Sequence, residues 1–398
     1  MGKVLGDRRG DLDMNQVAKL QDVQILQLNK KLKRLKVHVT HLPYRRKYVI
    51  EKLTAAPASR LTFGDPPMTV AQYFAQKYRP LRYPNLPCIE VGSKKNYIPV
   101  EVNAKLGGIN NTIPQEVKTI VFDHPAIIMG ADVTHPAPSE MNKPSIAAVV
   151  ASVDRYAFRY IATFRIQKQN AVAKARIEII EDMKNIAKDL LLSFYQINKF
   201  KPEKIIFYRD GVSEGQFSHV LQYEIAALRE ACTALESGYE PGITFLSVQK
   251  RHQTRFMPRN RSDGSGKHGN VPPGTVVDTV VTHPVDFDFF LCSHFGIQGT
   301  SRPAHYYVLW DDNDFKADTL QKLTYGLCHT YARCSRSVSI PTPVYYAHHA
   351  TKRAKCYVDA RTDSSDSGSS SSGSMLPTSI LDDAVKIAKL MERKMFFI

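Results

Sequence analysis

Two apolar runs that each close on an aspartate constrain this chain more than any other feature. Ala126-Ile127-Ile128-Met129-Gly130-Ala131 leads into Asp132, and Lys204-Ile205-Ile206-Phe207-Tyr208 leads through Arg209 into Asp210. Short continuous apolar runs of this kind read as buried strands. A carboxylate at the end of such a strand is costly unless it meets a cation or hydrogen-bond donors. Around them strands and helices alternate, which predicts an α/β domain. Residues 145–152, 160–166, 244–248 and 306–309 read as further strands. Apolar residues at three- and four-residue steps predict one helix through Ile177, Ile180, Met183, Ala187, Leu190, Leu191 and Phe194. Another begins near Ser213 and runs through Phe217, Val220, Leu221, Ile225, Leu228, Cys232 and Leu235. Further helices are predicted over 318–334 and 379–395.

Asp132 and Asp210, on neighbouring strand ends of one sheet, would converge on a shared point. Hard oxygen ligands suit Mg²⁺ or Mn²⁺, which keep waters and accept phosphate oxygens as remaining ligands. Two such ions about 4 Å apart activate a water and stabilise the leaving oxygen of a phosphodiester. The competing explanation is local: one Asp capping the following helix, the other bonded within a turn. For either Asp alone the local explanation is the better one; the pair, in a basic chain, gives the metal reading its weight.

That basicity is large. Lys and Arg number 54 against 38 Asp and Glu, a formal charge of +16, which points to a polyanionic partner, nucleic acid or an acidic membrane surface. The 398 residues, 43% apolar and 23% charged, suffice for two or three domains with a real core. Six scattered cysteines include no C-x-x-C pair and read as reduced thiols of the cytosol or nucleus. No apolar run approaches the ~18 residues of a membrane span. The first residues lack a signal-peptide core, and Gly6 breaks the myristoylation pattern. No membrane role is expected.

Three regions are expected. Residues 1–36 form a basic N-terminal segment ending in Lys30-Lys31-Leu32-Lys33-Arg34-Leu35-Lys36. Residues 37–103 read as a small β-rich module, with strands at 37–40, 48–50 and 88–91 and one helix over 69–75. Residues 104–398 form the α/β domain, interrupted by a Ser-rich loop over 363–375 expected to be disordered.

Gly130-Ala131-Asp132-Val133-Thr134-His135-Pro136, Tyr208-Arg209-Asp210-Gly211-Val212-Ser213-Glu214-Gly215 and Gln249-Lys250-Arg251-His252 resemble the Piwi domain of eukaryotic Argonaute proteins. So do Gly296-Ile297-Gln298-Gly299-Thr300-Ser301-Arg302-Pro303, Leu309-Trp310-Asp311-Asp312-Asn313, and the stretch from Arg336-Ser337-Val338-Ser339 to Tyr345-Tyr346-Ala347-His348. The motifs keep the family's order and spacing from about Lys105 to Ile398. The smaller module is similar to the C-terminal part of the PAZ domain, through Thr40-His41, Arg45-Arg46-Lys47-Tyr48, Thr62-Phe63, Thr69-Val70-Ala71-Gln72-Tyr73-Phe74 and Leu81-Arg82-Tyr83-Pro84.

The resemblance implies an RNase H-like fold with a mixed central sheet, and RNA-guided, Mg²⁺-dependent cleavage of RNA in gene silencing. It implies Asp132, Glu178, Asp210 and His348 as the catalytic set, with Asp132, Asp210 and His348 as metal ligands. Glu181 and Asp182 are alternatives to Glu178, because residues 169–175 look longer than the usual stretch. His135 reads as structural support. Lys105, Lys250, Arg251 and Arg353 would lie nearest the guide's 5′ end, and Arg333, Ser339 and Tyr345 along its seed. Arg255, Arg302 and Arg336 would add cations for the phosphate backbone. In the PAZ-like module His41, Arg46, Tyr48, Phe63, Tyr73, Arg82 and Tyr83 would grip an RNA 3′ end, although an aromatic core is the better explanation of Phe63 and Phe74 and an equal one of Tyr83. The partners implied are a small guide RNA, a complementary target RNA and silencing-complex proteins. A non-cleaving small-RNA-binding protein is the rival reading, and a truncated product without stable guide anchoring is a third. The family's N-terminal and MID domains are expected to be missing, because Tyr97-Ile98-Pro99-Val100-Glu101-Val102 runs straight into Lys105-Leu106-Gly107-Gly108.

Overall fold

The computed structural model describes residues 36–38, 47–64, 67–77, 81, 87–91, 96–99, 113–137, 140, 143–167, 178–333, 336–366, 378–387 and 394–397. The basic segment up to residue 35, His41, Arg46, Arg82, Tyr83, Glu101 and Lys105 lie outside the described residues, as does the side chain of Tyr48. The chain divides into two compact units, Met1–Val102 and Asn103–Ile398.

In the first unit, β1 (Lys36–His38), β2 (Lys47–Pro57), β5 (Pro87–Val91) and β6 (Asn96–Pro99) form an antiparallel sheet in the order β1-β2-β5-β6. A two-residue pair, β3 (Thr62–Phe63) with β4 (Met68–Thr69), precedes helix α1 (Val70–Lys77). Val70 and Phe74, one helical turn apart, bury against Ala58 and Cys88 as a small core.

The second unit is built on β7 (Ala126–Thr134), β8 (Ile146–Ser152), β9 (Tyr160–Ile166), β10 (Lys204–Asp210), β11 (Gly242–Gln249), β12 (Thr275–Val277), β13 (Asp288–Cys292) and β14 (Ala304–Asp311). They form one mixed sheet, order β12-β13-β14-β11-β10-β7-β8-β9. β10 pairs in parallel with both β7 and β11, and the remaining pairs are antiparallel. Strands β7, β8 and β10 are apolar on both faces because both faces are covered. One face packs on α2 (Gln115–Val121), α6 (Ala317–Cys328) and α7 (Thr342–Asp366). The other packs on α3 (Met183–Asn198) and on a composite helix. That helix comprises α4 (Phe217–Val220), a π-helical turn (Leu221–Ile225) and α5 (Ala226–Leu235). A last helix, α8 (Thr378–Val385), contributes Leu381 and Val385 to the first core. Among the described residues no helix is long and apolar enough to cross a membrane.

Four expected boundaries move. The helix expected from Ile177 begins at Met183, because the peptide groups of residues 178–180 bond to side chains instead of to a helical ladder. The helix expected over 318–334 stops at Cys328, where Leu327 gives its carbonyl to the Thr330 and Thr342 hydroxyls. The helix expected to reach residue 395 ends at Val385. Residues 363–366 of the Ser-rich stretch expected to be disordered are the end of α7; residues 367–377 lie outside the described residues.

Candidate active site

The alternation of side chains along a strand decides which groups can meet. On β7, Ile128 and Asp132 face α7, while Ile127, Met129 and Ala131 face α3 and α5. On β10, Ile206 and Tyr208 face α7, while Ile205 and Phe207 face the other way. The register sets Arg209 opposite Ala131, so one step further Asp210 stands beside Asp132 on the α7 face. Gly211 turns the chain at once, at φ 86°, a conformation that costs side-chain-bearing residues about 1 kcal/mol or more. Its N–H donates to Asp210 Oδ1 (2.8 Å).

His348, in the second turn of α7, closes the constellation. Its Nδ1 lies 2.9 Å from Asp132 Oδ2 and its Nε2 lies 2.9 Å from Asp210 Oδ2. α7 comes close enough because β7 has Gly130 beneath it: a Cβ there would sit 2.4 Å from the Pro343 carbonyl carbon. Ala347, Ala350 and Ala354 continue this small face over the sheet. Thr351, one turn beyond His348, donates its hydroxyl to Asp132 Oδ2 (3.2 Å), and Thr134 does so at 3.4 Å.

The electrostatics follow from this enclosure. Burial opposes ionisation of Asp132, but His348, Arg209 and Thr351 outweigh it and hold the carboxyl below its usual range. Burial likewise disfavours charge on His348, yet the two carboxylates overrule it and push the imidazole up to about 10. One ligand atom from each of Asp132, Asp210 and His348 lies within 4.8 Å of the others. A buried and a half-buried carboxylate sharing one positive charge fit a divalent cation, with His348 giving up its proton in exchange.

Glu178 lies close by without joining the three. It sits in the turn before α3, and its Oε2 is 3.6 Å from where a Cβ on Gly211 would stand. Its Oε1 bonds His135 Nε2 (2.8 Å), whose Nδ1 bonds Ser145 Oγ (2.8 Å). The alternatives are engaged elsewhere: Asp182 pairs with Arg165 (2.6 Å), and Glu181 is exposed.

The expected RNA contacts are spread over several loops and α7. Lys250, just after β11, donates to the Ser339 hydroxyl. Burial lowers its pKa, Asp210 opposes that and Arg302 adds to it, so these three charges share one neighbourhood. Arg251, Arg302, Arg333 and Arg336 are exposed, the last over the Phe295 ring. Arg255 bonds the His252 and Thr254 carbonyls, and Arg353 bonds the Phe396 carbonyl (2.8 Å). Tyr345 packs on Tyr331 and His349. Burial, then the charges of Arg333 and Lys352, push His349 down to about 4, which marks a positive field along α7. In the first unit Phe63 and Tyr73 meet edge to face at 5.2 Å against the small core.

Sequence reasoning overlooked Thr351, Ser145 and Arg209. Thr351 stands three residues after His348, the spacing of one helical face, but the helix itself had not been expected there. Ser145 and Arg209 have no signal in sequence, because their partners lie on other elements.

Residues 95–359 match the Piwi domain family and residues 12–120 match the PAZ domain family. The two ranges overlap over residues 95–120, so no span separates them. Among solved structures, the C-terminal lobe of a budding yeast Argonaute is 30% identical with a TM-score of 0.65, over 74% of this chain and 59% of that one. Kluyveromyces polysporus Argonaute with a guide RNA gives the same identity and TM-score over 74% of this chain and 33% of that one. Drosophila Piwi, at 23% identity, TM-score 0.52, 69% of this chain and 32% of that one, shares the fold. This chain therefore spans less than two thirds of each of these proteins. The strand order, the carboxylates at the ends of paired strands and the two matched domains lead to one assignment: the chain belongs to the Argonaute family, and its larger unit is an RNase H-like Piwi domain.

Proposed function

We propose that this chain is an RNA-guided silencing protein that cleaves a target RNA at a phosphodiester. The observation that carries the reading is the convergence of Asp132, Asp210 and His348 from three separate elements. Glu178 lies beside the Gly211 turn at the same end of the sheet. Mg²⁺ or Mn²⁺, held by Asp132, Asp210 and His348, would lower the pKa of a water and neutralise charge on the leaving oxygen.

The chain's own residues do the rest. Thr351 and the Gly211 N–H fix the rotamers of the two aspartates beside His348. His348 is tethered on both ring nitrogens, which orients it as a ligand or for moving a proton at the leaving oxygen. Glu178, once released from His135, is a further carboxylate beside the Gly211 turn able to orient a water. The exposed arginines and Lys250 supply cations for a guide and target backbone, as does the net charge of +16. In the first unit, Phe63 and Tyr73 belong to a module suited to an RNA 3′ end.

The test is direct. Purified protein is incubated with a guide RNA and a labelled complementary RNA, in Mg²⁺ or in EDTA. The expected result is a single product cut at a fixed distance from the guide's end, present only with guide and metal. Retention of both RNAs on a filter with no product would remove cleavage and leave small-RNA binding.

A further inference from the structure

The turn carrying Glu178 is held peptide by peptide from below. Residues 178–180 lie outside any helix or strand, yet each gives a backbone group to a buried side chain. The Glu178 carbonyl accepts from Arg209 Nη2, the Ile179 carbonyl accepts from Gln167 Nε2 (2.6 Å), and the Ile180 N–H donates to Glu224 Oε1 (3.0 Å). Arg209 and Glu224 are fully buried, and Gln167 is 3% exposed. Arg209 Nε meets both Glu224 oxygens at 3.2 Å, and its Nη1 donates to the Asp210 carbonyl. One guanidinium therefore ties the backbone of Glu178 to the backbone of Asp210.

Two features argue against an ordinary core ion pair. Burying an Arg–Glu pair is expensive, and apolar side chains of similar volume commonly replace such pairs with no loss of stability. Glu224 also reaches Arg209 from the π-helical turn Leu221–Ile225, an irregularity that recurs at functional sites. The composite helix thus departs from α-geometry at the segment that carries this carboxylate. Burial pushes Glu224 up while Arg209 opposes it, as expected of a carboxylate whose main compensation is that one cation.

We propose that Arg209, Glu224 and Gln167 are positioning residues, a buried clasp that sets the height of Glu178 relative to Asp210. The proposal rests on the reading of Glu178 as part of a cleavage site. It gives a role to the Arg of the Tyr208-Arg209-Asp210-Gly211 motif, which points away from the carboxylate pair, on the face opposite α7.

The charge-balanced double variant Arg209→Met/Glu224→Leu separates positioning from stability, since it leaves no unpaired charge. It should still fold, melting somewhat below the wild-type temperature because the Glu178 and Asp210 carbonyls and the Ile180 N–H lose their partners. Hydrogen exchange of peptides covering residues 178–182 should rise ~10-fold or more, with peptides from β7 and β10 unchanged. With guide and target affinities unaltered, the single-turnover cleavage rate should fall ~100-fold, the scale of an ångström-level misplacement. Gln167→Met, which disturbs no charge, should move exchange and rate in the same direction and serves if the double variant does not fold. Wild-type exchange over 178–182 in a folded variant would overturn the clasp, as would a rate that falls only in step with the melting temperature. If wild-type protein does not cleave at all, the proposed function fails, and the exchange measurement alone still decides whether the clasp holds the turn.

Discussion

Asp132, Asp210 and His348 are interdependent at the level of single atoms, because one imidazole serves two carboxylates. Asp132→Asn or Asp210→Asn keeps side-chain volume and removes the charge that a cation requires. Since such ligands act on the transition state more than on ground-state affinity, RNA binding should change little. Cleavage should fall at least ~1000-fold, the equivalent of about 4 kcal/mol. Single-turnover assays beside filter binding test this, and a variant cutting at the wild-type rate would remove the metal-site assignment. Glu178→Ala should lose cleavage as well, whereas Glu181→Ala and Asp182→Ala should not, because Asp182 is spent on Arg165 and Glu181 faces solvent. Activity surviving in the first and lost in either of the others would move the role along the chain.

At the scale of elements, the site depends on one helix resting directly on one strand. The approach of α7 to β7 at Gly130 leaves no room for a methyl group, the nearest neighbours being the Pro343 backbone and its Cβ. Gly130→Ala therefore forces α7 to shift, with an expected loss of ~1–3 kcal/mol for overpacking, and carries His348 away from Asp132. Gly211→Ala meets only its own backbone strain, about 1–2 kcal/mol, since the added Cβ would meet only the flexible end of Glu178, at 3.6 Å. Thermal melts of the two variants should rank Gly130→Ala as the more damaging, and equal melts would mean that the helix has slack over β7. The strands that these elements build on were readable because runs such as 126–131 and 205–208 are apolar throughout. The start of α3 was misjudged because Ile180 keeps the helical spacing and is buried, yet belongs to the turn. Periodicity reports which side chains are buried; it says nothing of where a peptide group finds its hydrogen bond.

For the whole molecule, the decisive feature is the direct succession of PAZ and Piwi regions. The family resemblance puts the guide's 5′-phosphate in a pocket made mostly by MID, completed from the Piwi side by residues matching Lys105 and Arg353. This chain has both, but also Glu101 four residues before Lys105, where a further lysine would be expected. Arg353 Nη2 donates to the Phe396 carbonyl. Charge-assisted phosphate contacts contribute ~1.5–3 kcal/mol each, so losing several removes orders of magnitude in discrimination. The expected outcome is binding that hardly separates 5′-phosphate from 5′-hydroxyl guides, tested by titrating the two side by side. A preference above ~10-fold, worth about 1.4 kcal/mol, would show that an anchor persists.

The amino-acid sequence by itself determined the α/β class of the large unit, the aspartates at the ends of its strands and the basic character of the chain. These are local or additive properties: apolar runs, motif spacing and a sum of charges. It also singled out His348, but only through resemblance, since nothing near it in the chain says which carboxylates it will meet. The tertiary structure alone decided that Asp132 and Asp210 share a face while Arg209 takes the other. It alone showed that Glu178 rests on His135 rather than on the carboxylate pair, and that a buried Arg–Glu pair grips the turn beneath it. Such contacts join residues 15 to 216 positions apart along the chain. They depend on strand register and helix seating, which a linear pattern of residue types does not contain.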